Sequence, residues 1–279
     1  MRKERREYYL KKAKALFMVT RPPLTIGSTL GALALCKWSG NFSDPYKTFL
    51  ITFVITAGSL LFNTLNEYHD RHVDRINKPW KPIPSGMVSE EEASAIFVSA
   101  AGVLIPSSTV LIIKYGWVYA VLIGVAFLSA CVYNLVRRDL IGNAFMAMCY
   151  GCTALMSLYP KYPLFALDFA LFTFCFNLFV QYQDLEAEKT AKIKTAAIEL
   201  GKDGILYVTM LLIPGILAAT IKMYLETQYT PLLVFATLPL FLTASFYAVM
   251  LNNRDLVEWS NRRLARLFLL LFFVICIFY

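Results

Sequence analysis

Long apolar runs separated by short polar stretches are the main pattern of this sequence. Nine runs are present, at about residues 22–38, 46–66, 90–113, 116–135, 140–158, 163–183, 203–223, 230–250 and 262–279. Each approaches the roughly 20 residues that a helix needs to cross a hydrocarbon layer about 30 Å thick. The runs are continuous rather than alternating, which excludes a β-barrel. We therefore expect an all-α fold, a polytopic membrane helical bundle of about nine transmembrane helices.

The composition indicates a membrane protein rather than a soluble one. Of the 279 residues, 58% are hydrophobic and only 16% are charged, and the mean hydropathy is +0.55. A soluble domain normally carries about a quarter charged residues. Cys149 and Cys152 form a C-x-x-C pair, but their apolar neighbours favour a packing role over redox or zinc chemistry.

The basic residues predict the orientation of the bundle, because Lys and Arg collect in cytoplasmic loops. With the N-terminus placed in the cytoplasm, 22 of the 27 basic residues fall on the cytoplasmic side. The other five are Lys37, Lys47, Lys114, Lys161 and Lys222. We expect an integral, multi-pass membrane protein with its N-terminus inside and its C-terminus outside. The net charge of +8 then reflects topology and anionic lipid, with no nucleic-acid partner.

The N-terminal segment differs from the rest of the chain. Between Tyr8 and Val19, basic and apolar residues alternate at helical spacing. This pattern predicts that residues 1–21 form a basic amphipathic segment on the cytoplasmic membrane surface. Residues 22–279 then form the transmembrane domain.

Two of the predicted cytoplasmic loops are acidic as well as basic. The first contains Asn66, Glu67, Asp70 and Asp74, and the second contains Asp184, Glu186 and Glu188. If each helix continues past its apolar edge, residues four apart share one face. Oxygen ligands on such a face suit hard divalent cations, and Mg²⁺ binds a few carboxylates together with the phosphates of a substrate. The clusters therefore predict Mg²⁺ sites that would mediate binding of a diphosphate.

Two other interpretations of the acidic clusters are disfavoured. A single acid pair four residues apart is usually an ordinary solvated pair on a helix surface, but two matched clusters at the cytoplasmic ends of spans favour a site. His69 and His72 have a spacing that permits zinc, whereas the neighbouring carboxylates and amide suit Mg²⁺ better.

At these residues the sequence resembles the UbiA superfamily of intramembrane prenyltransferases. The first signature of that family, N-D-x-x-D-x-x-x-D followed by R-P-I-P-S-G, corresponds to NEYHDRHVD and KPIPSG. The second, D-x-x-x-D followed by a K-T-or-S segment ending in L-G or F-G, corresponds to DLEAE and KIKTAAIELG. A third, Y-x-x-x-K, appears as YNLVR from Tyr133 to Arg137. Glu67 and Glu188 replace Asp, and Arg137 replaces Lys, so each departure keeps the charge.

The resemblance implies an enzyme that transfers a prenyl group from a prenyl diphosphate to an aromatic or lipid acceptor, with Mg²⁺ as cofactor and nine helices around a central cavity. The two acidic motifs would face each other across its cytoplasmic mouth. The implied metal ligands are Asn66, Asp70, Asp74, Asp184 and Glu188, and the four acids among them are implied catalytic residues. The implied substrate-binding residues are Asn66, Arg71, Lys78, Arg137 and Lys194, and Tyr133 would stabilise the allylic cation through its ring.

Two further functions remain open from the sequence. A membrane terpene cyclase of the same superfamily would ionise a short prenyl diphosphate with the same acids and quench the cation internally. A transporter would also combine a helical bundle with acidic residues. The transporter is disfavoured because the acids lie in loops at one face and not at the membrane midplane.

Overall fold

A computed structural model describes residues 2–136, 139–183, 185–190, 192, 194–229, 231–253, 255–256 and 266–278. Within these ranges the fold is helical and contains no β-strand. The helices are α1 (Arg2–Val19), α2 (Pro22–Ser39), α3 (Pro45–Asn77), α4 (Glu90–Tyr115), α5 (Trp117–Val136), α6 (Leu140–Leu158), α7 (Pro163–Gln183), α8 (Leu185–Thr190), α9 (Ala196–Thr227), α10 (Pro231–Phe235), α11 (Leu238–Met250) and α12 (Arg266–Phe278), with a 3₁₀ turn at Asn41–Ser43.

All nine apolar runs coincide with helices, and the predicted polytopic helical membrane fold is confirmed. In the described part of the chain, six helices are long and apolar enough to cross a membrane: α3 over Pro45–His72, α4, α5, α6, α7 and α9. The other three runs correspond to α2, to α10 with α11, and to α12. Helices α11 and α12 have 13 residues each, fewer than the roughly 20 of a full crossing. The count of nine is therefore approximate.

The chain forms two compact units. Unit 1 comprises residues 1–29 and 49–116, and unit 2 comprises residues 30–48 and 117–279. Helices α2 and α3 each contribute to both, because the division falls within them.

Hydrogen bonds between hydroxyl and amide side chains join α2 to α3 in unit 1. Asn63 Nδ2 donates to Thr25 Oγ1 at 3.1 Å, and the hydroxyls of Thr29 and Thr56 lie 2.8 Å apart. Such bonds fix how two helices are rotated relative to each other, because in lipid all apolar faces of a helix are about equally well solvated.

The N-terminal segment is helical, as its spacing predicts. Ala15 and Val19, near the end of α1, are buried in a small apolar cluster that also contains Val88 and Ala93 at the start of α4. Lys12 Nζ donates to Met87 O at 2.7 Å and to Glu92 Oε2 at 2.5 Å. These contacts hold the C-terminal half of α1 against the start of α4 and the residues just before it. The location of α1 on the membrane surface stays a prediction.

Helix α7 forms the centre of unit 2. Its Phe165, Phe169 and Phe172 pack against Phe235 of α10, and Phe165 also stacks on Phe272 of α12. Large aromatic side chains bury much apolar area for each residue ordered, which favours their use in a helical core. The aromatic cluster thereby packs the N-terminal half of α7 into the core of unit 2. The C-terminal end of the same helix leads into the second acidic motif.

Candidate functional site

The first acidic motif lies on a helix that continues beyond its apolar part. Helix α3 runs to Asn77, so Asp70 and Asp74 are one turn apart on its surface. Glu67 and Asp74 are buried, with relative exposures of 4% and 5%, whereas the Asp70 side chain is 24% exposed. Buried carboxylates are retained in proteins only with compensating partners, and these partners are basic residues.

Lys81 bridges two of the carboxylates. Its Nζ donates to Asp74 Oδ2 at 2.7 Å and to Glu67 Oε1 at 2.9 Å. Arg21 Nε donates to the same Glu67 oxygen at 2.6 Å, and its guanidinium also lies 3.7 Å from Asp70 Oδ2. The three acids and two bases thus form one continuous ion cluster, which we call the Lys81 cluster.

Local backbone structure brings both bases to the end of α3. Arg21 joins α1 to α2 with φ of 48°, a left-handed conformation that makes the turn between these helices sharp. Lys81 opens the loop KPIPSG, where Ser85 N donates to Lys81 O at 2.9 Å and Val88 N donates to Pro82 O at 2.9 Å. Ile83 anchors this loop, because it is buried in the apolar cluster that contains Ala15 and Val19 of α1. The proline-rich motif therefore serves to present Lys81 to the acids.

Three predicted substrate-binding residues of this motif, Arg71, Lys78 and Asn66, have surroundings of their own. Arg71 Nε donates to Glu90 Oε1 at 3.0 Å, and its guanidinium lies 3.9 Å above the ring of Tyr68. It thereby joins α3 to α4 rather than the acids of its own helix. Lys78 is half-buried and follows the last turn of α3, with its N–H donating to Asp74 O at 2.7 Å. Asn66 is half-buried, one turn before Asp70.

The second acidic motif follows α7 in unit 2. Before it, the side-chain amides of Gln181 and Asn143 form two reciprocal hydrogen bonds of 3.1 and 3.2 Å, which fix the last turn of α7 against α6. Glu188 lies on α8 and is 2% exposed. Asp184 lies outside the described residues, and so does Arg137 of the third motif. Tyr133 is half-buried in the last turn of α5.

The segment after the second motif depends on two special backbone positions. Thr195 is buried and caps α9, its Oγ1 accepting from Ile198 N at 3.3 Å. Gly201 has φ 63° and ψ −176° inside α9, a region that is essentially restricted to glycine. The K-T and L-G elements of the motif are thus explained as a helix cap and a glycine-only bend. Lys194, directly before the cap, is exposed.

Sequence reasoning missed two members of the Lys81 cluster, Arg21 and Lys81. Glu67 is part of the predicted acidic cluster and of the signature motif, but it is not among the candidate site residues. These three residues nevertheless form the shortest ion pairs of the cluster. Arg21 and Lys81 are distant in sequence and come to the acids only through the turns described above.

The donor atoms of the first motif suit a hard divalent cation. Asn66, Asp70 and Asp74 offer only oxygen ligands, and the Lys81 ammonium shows that a cation is accommodated between buried carboxylates here. Among the residues that the structure describes, no three or more His, Cys, Asp or Glu side chains converge as a closed metal site. The oxygen donors of the first motif are thus of the type that Mg²⁺ prefers, and they would supply part of its ligand set.

These features define a multi-pass membrane protein with an acidic, oxygen-donor motif at the end of a transmembrane helix. A sequence profile of the UbiA prenyltransferase family matches residues 25–275. The chain therefore belongs to the UbiA prenyltransferase family. It is an integral membrane enzyme, a prenyltransferase.

Individual relatives agree with this assignment. Digeranylgeranylglyceryl phosphate synthase of Korarchaeum cryptofilum is 28% identical over 252 residues, which cover 84% of this chain and 86% of the relative. Chloroplastic chlorophyll synthase of Oryza sativa subsp. japonica is 40% identical, but over 77 residues that cover 26% of this chain and 20% of the relative. The solved structure of a UbiA homolog from Archaeoglobus fulgidus bound to GPP and Mg²⁺ has a TM-score of 0.69 at 13% identity, covering 95% of this chain and 100% of that chain.

Proposed function

We propose that this prenyltransferase transfers a long prenyl group from a prenyl diphosphate to the hydroxyl of a lipid acceptor, with Mg²⁺ as cofactor. The Lys81 cluster is the observation that carries the proposal. It combines buried carboxylates, which suit a divalent cation, with two bases, which suit phosphate oxygens, at the end of a transmembrane helix.

In the proposed site, acidic and amide side chains bind the metal, and basic side chains bind the diphosphate. Asn66, Asp70 and Asp74 of the first motif would hold Mg²⁺, and Asp184 and Glu188 of the second motif would offer carboxylates to Mg²⁺ in the same way. When bound, Mg²⁺ neutralises the charge that develops on the leaving diphosphate. The anionic oxygens would also be bound by basic side chains, for which we propose Arg21, Lys78, Lys81, Arg137 and Lys194. We assign Arg71 a structural role in joining α3 to α4, because its guanidinium contacts Glu90 and the ring of Tyr68.

The carbon–oxygen bond of the donor then breaks to leave an allylic cation. Tyr133 would stabilise that cation with its ring face, by about 0.5–2 kcal/mol. Its half-buried position in the last turn of α5 leaves part of the side chain accessible. Capture of the cation by the acceptor oxygen, with loss of the hydroxyl proton, completes the transfer.

The choice of a lipid acceptor is supported by the Korarchaeum cryptofilum relative, which matches over 84% of this chain. The name of that relative describes a product with two geranylgeranyl groups on glyceryl phosphate. We propose the corresponding acceptor class here, a glyceryl phosphate lipid with a free hydroxyl. An aromatic or chlorophyll-type acceptor receives less support, because the chlorophyll synthase match covers only 26% of this chain.

The test is a reconstituted reaction with purified protein, Mg²⁺, a series of prenyl diphosphates of increasing length, and each acceptor class in turn. Products are identified by mass spectrometry. We expect a prenylated glyceryl phosphate lipid, and loss of product when Mg²⁺ is chelated. E226Q is a suitable control variant, because Glu226 lies outside both motifs, is 60% exposed and is 3.8 Å from Lys222. A prenylated aromatic product, or full activity in chelator, would contradict the proposal.

A further inference from the structure

Glu67 is the acid of the Lys81 cluster on which both bases meet. Its Oε1 accepts from Arg21 Nε at 2.6 Å and from Lys81 Nζ at 2.9 Å, and the residue is only 4% exposed. Hydrogen bonds between charged partners are roughly twice as strong as neutral ones. One carboxylate therefore ties to α3 two bases that lie 46 residues before it and 14 residues after it in the chain. All three residues belong to unit 1.

The acids of the cluster differ in how they meet positive charge. Glu67, Asp70 and Asp74 follow one another at spacings of three and four residues, so they share one face of α3. Glu67 is the nearest of them to the apolar part of the helix. Its side chain is 5% exposed, whereas that of Asp70 is 24% exposed. Two positive charges lie directly against Glu67, and they would repel a metal ion approaching this carboxylate.

Arg21 and Lys81 have donor groups beyond those that Glu67 occupies. A guanidinium carries five N–H donors and an ammonium carries three. Arg21 donates to Glu67 through Nε, and one of its terminal nitrogens lies 3.7 Å from Asp70 Oδ2. The Lys81 ammonium donates to Glu67 and to Asp74. The side chains of Arg21 and Lys81 are 26% and 22% exposed, which leaves part of each base accessible to an anion.

We propose that Glu67 is a positioning residue and not a metal ligand: its carboxylate holds Arg21 and Lys81 in place, and their remaining donors bind the diphosphate. The inference rests on the proposed function, because it assigns a role within the same site. Binding gains from bases that are already in place, since their side-chain entropy is lost on folding and not on binding. Asp70 and Asp74, further along the same face of α3, are left to offer oxygen ligands to the metal.

Removal of the Glu67 charge distinguishes positioning from simple electrostatics. Loss of a negative charge close to an anion site should by itself tighten the binding of an anion. If Glu67 positions the bases, the isosteric variant E67Q should instead weaken binding, because both bases lose their shared partner. The measurement is isothermal titration calorimetry with inorganic pyrophosphate at saturating Mg²⁺ in detergent. We expect the dissociation constant to rise by about tenfold or more. An unchanged or lower constant would overturn the proposal.

Metal binding without substrate tests whether Glu67 is a ligand. Mn²⁺ serves as the probe, and the decrease of its free EPR signal on binding gives the affinity. D70N should weaken Mn²⁺ binding by about tenfold or more, because it removes a proposed ligand, whereas E67Q should weaken it clearly less. Equal losses in the two variants would identify Glu67 as a ligand and overturn the proposal. Wild-type protein that binds neither Mn²⁺ nor pyrophosphate would contradict the proposed function itself, whereas an E67Q variant that binds both like the wild type contradicts only the role of Glu67.

Two further variants separate positioning from a general effect on folding. E92Q alters a carboxylate that pairs with Lys12 at 2.5 Å and belongs to the capping box of α4, in the same unit but outside the Lys81 cluster. It should lower the Tm and leave both affinities unchanged. E67D keeps the charge on a side chain one methylene shorter, and it should recover part of the pyrophosphate affinity lost in E67Q. If E67D binds pyrophosphate no better than E67Q, the carboxylate charge does not position the bases and the proposal fails.

A paired variant provides the test if E67Q alone fails to fold. R21Q removes one of the bases that Glu67 holds, and R21Q/E67Q removes both partners of that ion pair, which disturbs folding less than removal of one partner. Residues that act through one another have non-additive effects. We therefore expect E67Q to weaken pyrophosphate binding by clearly less than about tenfold when it is added to R21Q. A further loss of about tenfold would show that Glu67 acts independently of Arg21, and tighter binding would show a simple charge effect. Either result would contradict the proposal.

Discussion

Lys81 Nζ lies 2.7 Å from Asp74 Oδ2, and both side chains belong to the first signature motif of the family. The same ammonium contacts Glu67 at 2.9 Å. The proline-rich part of the motif is therefore bound to its acidic part by charge. This contact supplies the counter-charge that the acids need when they are buried.

Removal of Lys81 should destabilise the protein. In K81M the buried carboxylates of Glu67 and Asp74 lose a charged donor, at a cost of about 1–3 kcal/mol. The measurement is equilibrium or thermal unfolding in detergent. The control is K189M, which removes a lysine that is 53% exposed and loosely paired, and which should change stability by less than about 0.5 kcal/mol. If K81M is as stable as K189M, the Lys81 cluster has no structural role.

The sequence predicts the contacts between residues that are close in the chain, but not those between residues that are far apart in it. Asp70 and Asp74 were predictable as neighbours, because helical periodicity alone sets their relation. The contacts of Arg21 and Lys81 with Glu67 were not predictable, because they depend on a left-handed turn and a folded loop whose geometry is determined by packing. Hydropathy found all nine helical runs, but it did not show that α10 and α11 are separate helices, since both belong to one apolar run.

The exposed carboxylate of the first motif should matter for catalysis and not for stability. Asp70 is 24% exposed, and its contact with Arg21 is long at 3.7 Å, so loss of its charge changes folding little. We expect D70N, and likewise D184N in the second motif, to lose nearly all product formation in the reconstituted assay while retaining the Tm of the wild type. E226Q, altered at an exposed residue in the last turn of α9, should stay active. Wild-type turnover in D70N at limiting Mg²⁺ would rule out a role for this carboxylate.

The bend at Gly201 should tolerate no side chain. G201A forces alanine into a conformation with φ 63° and ψ −176°, at a cost of about 1–3 kcal/mol, and should displace the segment after the second motif. G215A is the matched control in the same helix, because nothing lies within 4 Å of a Cβ placed there. It should be neutral or stabilising by up to about 1 kcal/mol. Comparison of the Tm and activity of the two variants tests whether the bend, or merely glycine content, is required.

The distribution of basic residues predicts the orientation of the protein in its membrane. Single cysteines are placed at Ser85, in the KPIPSG loop, and at Ser43, in the 3₁₀ turn, in a background without native cysteines. With the N-terminus in the cytoplasm, Cys at 85 should react only with reagents that reach the cytoplasm. Cys at 43 should react with impermeant reagents added outside. The reverse labelling would overturn this orientation.

Dependence on an acceptor distinguishes transfer from cyclisation. Both reactions ionise the same donor with the same acids, so variants of the motif residues affect both alike. They differ in how the cation is consumed, because a transferase waits for the oxygen of a second substrate whereas a cyclase closes the chain on itself. We therefore expect slow diphosphate release with Mg²⁺ and donor alone, and a steep rise when the glyceryl phosphate acceptor is added. Release is followed by a coupled phosphate assay, and organic products by mass spectrometry. A cyclic hydrocarbon or terpene alcohol formed rapidly without acceptor would establish the cyclase instead.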